Sequence, residues 1–135
     1  LMTLGKAGVS GAGPDLFDQP TDIVVSPSGD LFVTDSHRNG RNNRVVHFSK
    51  DGKFIKEWGH KGSGPGEISE PHTIAMDSRG RLFVADRGNR RIQVFDENGK
   101  YLDQWSVGPA PPTSISSTWM ALEISGHSIA RLPRC

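Results

Sequence analysis

Ser28-Gly29-Asp30-Leu31-Phe32-Val33-Thr34-Asp35 returns 51 residues later as Arg79-Gly80-Arg81-Leu82-Phe83-Val84-Ala85-Asp86. In both copies a Gly turn precedes a short run of apolar residues that closes on Asp, which reads as a turn feeding a strand. Working outward, Gly11-Ala12-Gly13-Pro14 and Pro20-Thr21-Asp22-Ile23 match Gly62-Ser63-Gly64-Pro65 and Pro71-His72-Thr73-Ile74 at the same offset. Further along, the offset drops to 47 and pairs Arg44 with Arg91, Phe48 with Phe95, Gly52 with Gly99 and Trp58 with Trp105. The difference of four residues is a loop insertion within residues 36–43. The matches are numerous and in order, so the chain holds two consecutive repeats.

Each repeat carries four short strand signals between turn residues. They fall at 22–26, 30–35, 44–49 and 54–59 in the first repeat, and at 73–77, 81–86, 91–96 and 101–106 in the second. Asp51-Gly52 and Asn98-Gly99 are expected to make two-residue hairpin turns, whose twist suits paired strands. No 3.6-residue apolar period lasts long enough for a helix. Four antiparallel strands recurring every 40–50 residues are the pattern of a β-propeller blade. The expected fold is therefore all-β, with two blades in residues 1–106. A blade cannot cover both its faces alone, so neighbouring blades are its first expected partners.

Residues 107–135 are expected to be a diverged, truncated or frame-shifted third blade with poor order. Pro112-Thr113-Ser114-Ile115 starts the pattern again, but no Leu-Phe-Val-x-Asp follows. A changed reading frame in 116–135 would explain this, because Trp119-Met120 must be encoded TGGATG, which reads Asp-Gly one register over.

Composition narrows the function classes. Sixteen Lys and Arg face fifteen Asp and Glu, a net charge of +1, so no strong field suggests nucleic acid or an acidic membrane. The basic run from Arg38 to Arg44 reads as a solvated loop tip, and no nucleic-acid partner is expected. Gly 16 and Pro 9 favour many short turns, and one Cys excludes an intrachain disulfide framework. No apolar run approaches the roughly 18 residues of a membrane span. Secreted or periplasmic location is expected only if a signal peptide precedes Leu1.

The pattern Pro-x-x-Ile, Gly-x-Leu-Phe-Val-x-Asp, Asn-x-Arg-(Ile/Val)-x-x-Phe and Gly-Lys-(Phe/Tyr)-(Ile/Leu)-x-x-Trp resembles the NHL repeat. The resemblance covers residues 4–106 and implies about two complete blades of a six-bladed propeller. Within that class, Phe17-Asp18-Gln19-Pro20-Thr21-Asp22, Glu57-Trp58-Gly59, Pro71-His72, Val84-Ala85-Asp86-Arg87 and Arg91-Ile92-Gln93 resemble the peptidyl-α-hydroxyglycine α-amidating lyases. The resemblance implies cleavage of a peptidyl hydroxyglycine to a peptide amide and glyoxylate, with zinc held by three His in Pro-His dipeptides. His72 matches one of those ligands.

A physical reason supports the spacing. Pro-x-x-Ile opens the innermost strand of each blade, so a His on every second blade of six would place three imidazoles around the axis. Three ligands with one open position make a catalytic zinc arrangement. The other two His would lie in missing blades, so this chain alone is expected to be inactive. Where the family has its catalytic Tyr, this chain has His37, a candidate catalytic residue that can accept a proton near neutral pH. Asp18 and Arg38 stand where some members have a disulfide.

Other polar residues read as structural. Asp35 and Asp86 are expected to pair with Arg44 and Arg91, Trp58 and Trp105 to pack between blades, and His47 to lie on a strand face. His60 and His127 carry no spacing signal. The second functional class is a non-catalytic NHL binding or scaffold propeller, and the partners expected besides the missing blades are a peptide or small-molecule substrate.

Overall fold

The residues that end each strand run make the same turn four times. At 26–30, 49–53, 77–81 and 96–100 the first residue's N–H donates to the fifth residue's carbonyl, and the Gly N–H donates to the first residue's carbonyl. Gly29, Gly52, Gly80 and Gly99 have φ of 94, 82, 77 and 82°, while the two residues before each Gly stay at negative φ. This is a three-residue type I turn with a left-handed Gly bulge. The two-residue turn expected at Asp51-Gly52 and Asn98-Gly99 is thus corrected, because type I′ needs positive φ at both central residues. Asp77 and Asp96 cap their turns, each accepting backbone N–H groups on Oδ1 at 2.8–3.0 Å. Ser26 and Ser49 accept one each through Oγ.

These turns join eight strands in a computed structural model that describes residues 1–107. They are β1 Pro20–Val25, β2 Leu31–Asp35, β3 Arg44–Phe48 and β4 Phe54–Trp58, then β5 Pro71–Met76, β6 Leu82–Asp86, β7 Arg91–Phe95 and β8 Tyr101–Ser106. They form two antiparallel meanders, β1-β2-β3-β4 and β5-β6-β7-β8. The fold is all-β, and its only helical turn among the described residues is a 3-10 turn at Arg87–Asn89. β1 and β5 each start two residues before the expected strand, at a Pro, which a strand's first position tolerates. The expectation for 107–135 falls, after Val107, outside the described residues.

The blades pack through a shared core. Phe32 and Val45 of the first blade join Ile68, Ile74, Leu82, Val84 and Phe95 of the second. Trp58 closes this interface as expected, 5.9 Å from the Phe95 ring. Its ring lies so close to Gly99 that an added Cβ would come within 2.6 Å of it. Trp105 packs on Phe83 and Ile92. On the far side of the first blade, Ile23 and Val25 are 49% and 58% exposed, whereas the repeat partner Ile74 is 3% exposed beneath a neighbour. The uncovered apolar face expected of a blade without a neighbour is therefore present on that side.

A second set of bonds fixes the glycine-rich connectors. Asp35 and Asp86 are fully buried. Asp86 Oδ1 accepts the Ser69 N–H, and Oδ2 accepts from Asn89, Arg91 and Gln93 at 2.7–3.1 Å. Asp35 accepts from the Asp18 N–H, Asn42 and Arg44 at 2.7–3.0 Å. Each Arg then turns its Nη groups to the connector, with Nη1 also donating to Glu57 or Gln104 on the outer strand. Arg91 reaches the carbonyls of Ser63, Gly64 and Glu67, and Arg44 those of Ala12, Gly13 and Leu16. The expected pairings are thus present, and they extend to main chain that no strand pairs.

Gly99→Ala and Gly66→Ala both force Ala into φ near +82°, but nothing lies within 4 Å of a Cβ at Gly66. Urea unfolding is expected to show about 1–2 kcal/mol lost for Gly66→Ala, and a further 1–3 kcal/mol or so for Gly99→Ala from overpacking on Trp58. Asp86→Ala strands a buried guanidinium and is expected to remove about 3–5 kcal/mol. Glu57→Gln, at the half-exposed end of Arg44, is expected to remove less than about 1 kcal/mol.

Candidate functional site

His72 sits on a β-bulge. In the β5–β6 ladder Pro71 faces Asp86 and Thr73 faces Ala85, which leaves His72 without a partner. Thr21 occupies the same position between Pro20 and Asp22 in β1. A bulge removes a residue from the alternation and re-aims its side chain. The bulged segment is braced against the neighbouring inner strand. Thr21 Oγ1 donates to the Pro71 carbonyl at 2.8 Å, and the Ile74 N–H donates to Asp22 Oδ2 at 3.0 Å.

His72 is half-buried, with Nδ1 3.1 Å from Thr73 Oγ1. That contact orients the ring and leaves Nε2 as the nitrogen without a hydrogen bond, the usual division of labour in a metal-binding imidazole. His37 is also half-buried, and its ring centroid lies 6.0 Å from that of His72 at an interplanar angle of 56°. The structure therefore brings the two sequence-derived candidates together from adjacent blades. The inserted loop that carries His37 is tied down at several points. The Gly40 N–H donates to the His37 carbonyl, the Arg41 N–H to Asp18 Oδ2, and Asn42 to both Asp35 and the Gly11 carbonyl. The basic run is not one patch, since Arg44 is buried in the clamp.

Sequence reasoning missed Arg87 and Glu70. Arg87 follows Asp86 on the 3-10 turn, and its Nη1 lies 4.0 Å from Glu70 Oε2. Its charge acts on His72. Burial lowers the His72 pKa below the ordinary histidine value, Arg87 and then His37 push the same way, and the Asp22 carboxylate opposes them. A neutral imidazole at pH 7 is the form that binds metal. One such ring fits one ligand of a zinc site. No group of three His, Cys, Asp or Glu side chains converges on a metal position among the described residues.

His47 and His60 have local partners. His47 is buried, stacks on Phe32 at 4.2 Å and pairs with Asp30 at 2.8 Å. Exposed His60 pairs with Glu67 at 2.8 Å. No helix among the described residues is long and apolar enough to cross a membrane.

The repeat and its axial strands find matches among known proteins. The NHL-repeat family matches residues 69–95, and a 6-bladed β-propeller family matches residues 15–81. The chain carries NHL-type propeller blades. Human NHL repeat-containing protein 3 is 42% identical over 107 residues, which cover 78% of this chain and 30% of that protein. Mouse peptidyl-glycine alpha-amidating monooxygenase is 45% identical over 101 residues, covering 70% and 10%. A Caenorhabditis elegans protein named as a peptidyl-alpha-hydroxyglycine alpha-amidating lyase is 31% identical over 117 residues, covering 84% and 33%. The chain thus spans a third or less of each of these relatives. A solved Bacteroides fragilis protein superposes with a TM-score of 0.59 at 20% identity, over 80% of this chain and 29% of that one, a likeness of fold.

The lowered pKa of His72 has a defined sign. A depressed folded value means that the unfolded chain takes the proton first. His72 therefore contributes its full stability above pH 6.5 or so, and that contribution is lost as pH falls below the ordinary value toward the folded one. In metal-free protein, the His72 ring signals in NMR are expected to titrate below the ordinary histidine midpoint. Arg87→Gln is expected to move that midpoint up, though still short of the ordinary value, because burial is the larger cause.

Proposed function

We propose that the complete propeller built on these NHL blades is a zinc-dependent lyase that converts peptidyl-α-hydroxyglycine to a peptide amide and glyoxylate. The observation that carries this reading is the placement of His72. It stands on a bulge of an innermost strand, with Nδ1 anchored and the ring held neutral. His72 would hold zinc with two imidazoles from blades outside this chain, and bound zinc would supply Lewis-acid polarisation of the substrate hydroxyl.

The remaining chemistry belongs to the chain's own side chains. His37, whose ring centroid lies 6.0 Å from that of His72, would accept the hydroxyl proton. Loss of that proton forms the C=O of glyoxylate as the C–N bond breaks, and the amide nitrogen takes a proton. Arg87 adds positive charge at His72, which complements the carboxylate of a hydroxyglycine substrate. The similarity to the worm lyase supports the same chemistry.

A second reading is a non-catalytic NHL propeller that binds its partner at the same end. It is favoured by His37 standing in place of the lyase family's Tyr and by the similarity to NHL repeat-containing protein 3. One assay separates the two. The complete protein, equilibrated with zinc, is given a hydroxyglycine-extended peptide and glyoxylate is measured. The lyase reading expects turnover, loss of zinc and activity in His72→Ala, and a fall of about 10²–10⁴-fold in kcat for His37→Ala. Zinc and activity that survive His72→Ala overturn its role as a ligand. A zinc-loaded protein that releases no glyoxylate leaves the binding reading.

A further inference from the structure

The loop insertion that separates the two repeats also delivers the second imidazole. In the second blade, Arg87-Gly88-Asn89-Arg90 joins the two middle strands in four residues; in the first blade, residues 36–43 take eight. The longer loop is pinned to its own blade by Asp18 and Asp35, and His37 projects from it to the bulge of the next blade. Within the described residues the His37 ring makes no hydrogen bond, and the only one at the His72 ring goes to Nδ1. Each ring therefore has a nitrogen free to bind a ligand.

We infer that in the substrate-free protein His37 and His72 bind one borderline divalent cation together, so that the metal bridges two adjacent blades. Two imidazoles on one tetrahedral zinc, each with Zn–N of roughly 2.1 Å, have ring centroids about 5 Å apart. The observed 6.0 Å lies within a small side-chain rotation of that spacing. Imidazole pairs select zinc, copper, nickel or cobalt over magnesium or calcium. Arg87 opposes the added cation; Glu70 pairs with that guanidinium, and the Asp22 carboxylate acts on His72 in the opposite sense.

The inference rests on His72 as a metal ligand and gives His37 a second role there. A ring that occupies the position where substrate must bind has to leave first. Once displaced, it stands free beside the substrate hydroxyl as a proton acceptor.

Metal binding by the 135-residue chain tests this without any turnover. The chain is titrated with cobalt(II), followed by its visible d–d bands, and with zinc in competition with a chromophoric chelator. Saturation near one ion per chain is expected. His37→Ala and His72→Ala are each expected to weaken binding at least about tenfold and to change the cobalt spectrum, whereas His60→Ala does neither. The double variant is expected to lose little more than either single one, because both act on one ion. Circular dichroism of metal-free variants checks that the strands persist. Unchanged affinity and spectrum in His37→Ala overturn the shared site while leaving His72 as a ligand. Unchanged binding in His72→Ala overturns both readings. Metal binding lost in both variants, with no glyoxylate formed by the complete protein, keeps the shared site and removes the lyase reading.

Discussion

A buried carboxylate at the end of each blade's second strand organises what surrounds it. Asp35 and Asp86 are fully removed from water, a position an ionised group tolerates only when its lone pairs are filled. Here a backbone N–H, an Asn amide and an Arg guanidinium fill them. The same Arg solves a second problem. The connector before each blade is rich in Gly and Pro and pairs with no strand, yet its carbonyls lie beside buried residues. The planar fork of Arg44 or Arg91 takes three of them, a task that a lysine's point charge could not perform with the same geometry.

This clamp positions the inner strand. The connector runs directly into Pro20 or Pro71, so fixing its carbonyls fixes where the innermost strand begins. Asp86 also holds the Ser69 N–H two residues before Pro71 and lies opposite Pro71 in the ladder. The bulge that exposes His72 thus starts from an anchored point. Arg87, the next residue after that carboxylate, brings its charge to the same end. Stability and the candidate site share one scaffold.

The site itself lies between blades. Thr21 and Asp22 of the first blade bond to the main chain of the second at the bulge, and His37 of the first meets His72 of the second. Neither blade alone would bring these groups together. A repeat protein's function depends in this way on nearest-neighbour contacts, just as its stability does. The four-residue insertion breaks the symmetry of the repeat where chemistry is proposed, while the Asp–Arg clamp and the Gly-bulge turns that support it recur in both blades.

Much of this was legible in residue order. The repeat, the four strands per blade, the Asp–Arg pairs, the Trp at the blade interface and the Pro-His dipeptide are local patterns, each set by alternation, turn residues or spacing within one strand pair. The hairpin type was misjudged, because Asp-Gly and Asn-Gly suit two kinds of turn and only the bonding of the flanking strands chooses between them. Sequence marked His37 and His72 separately, but their approach depends on how two blades pack, across 35 positions of chain. It marked neither the bulge nor the meeting of Arg87, Glu70 and His72. Strand identity follows from the short-range sterics of each residue and its neighbours, so sequence alone determined the blades. The register slip at His72 lies in the pairing of two strands within a blade, and the distance between the two imidazoles in the packing of one blade on the next; neither is written in residue order, and only the tertiary structure decided them.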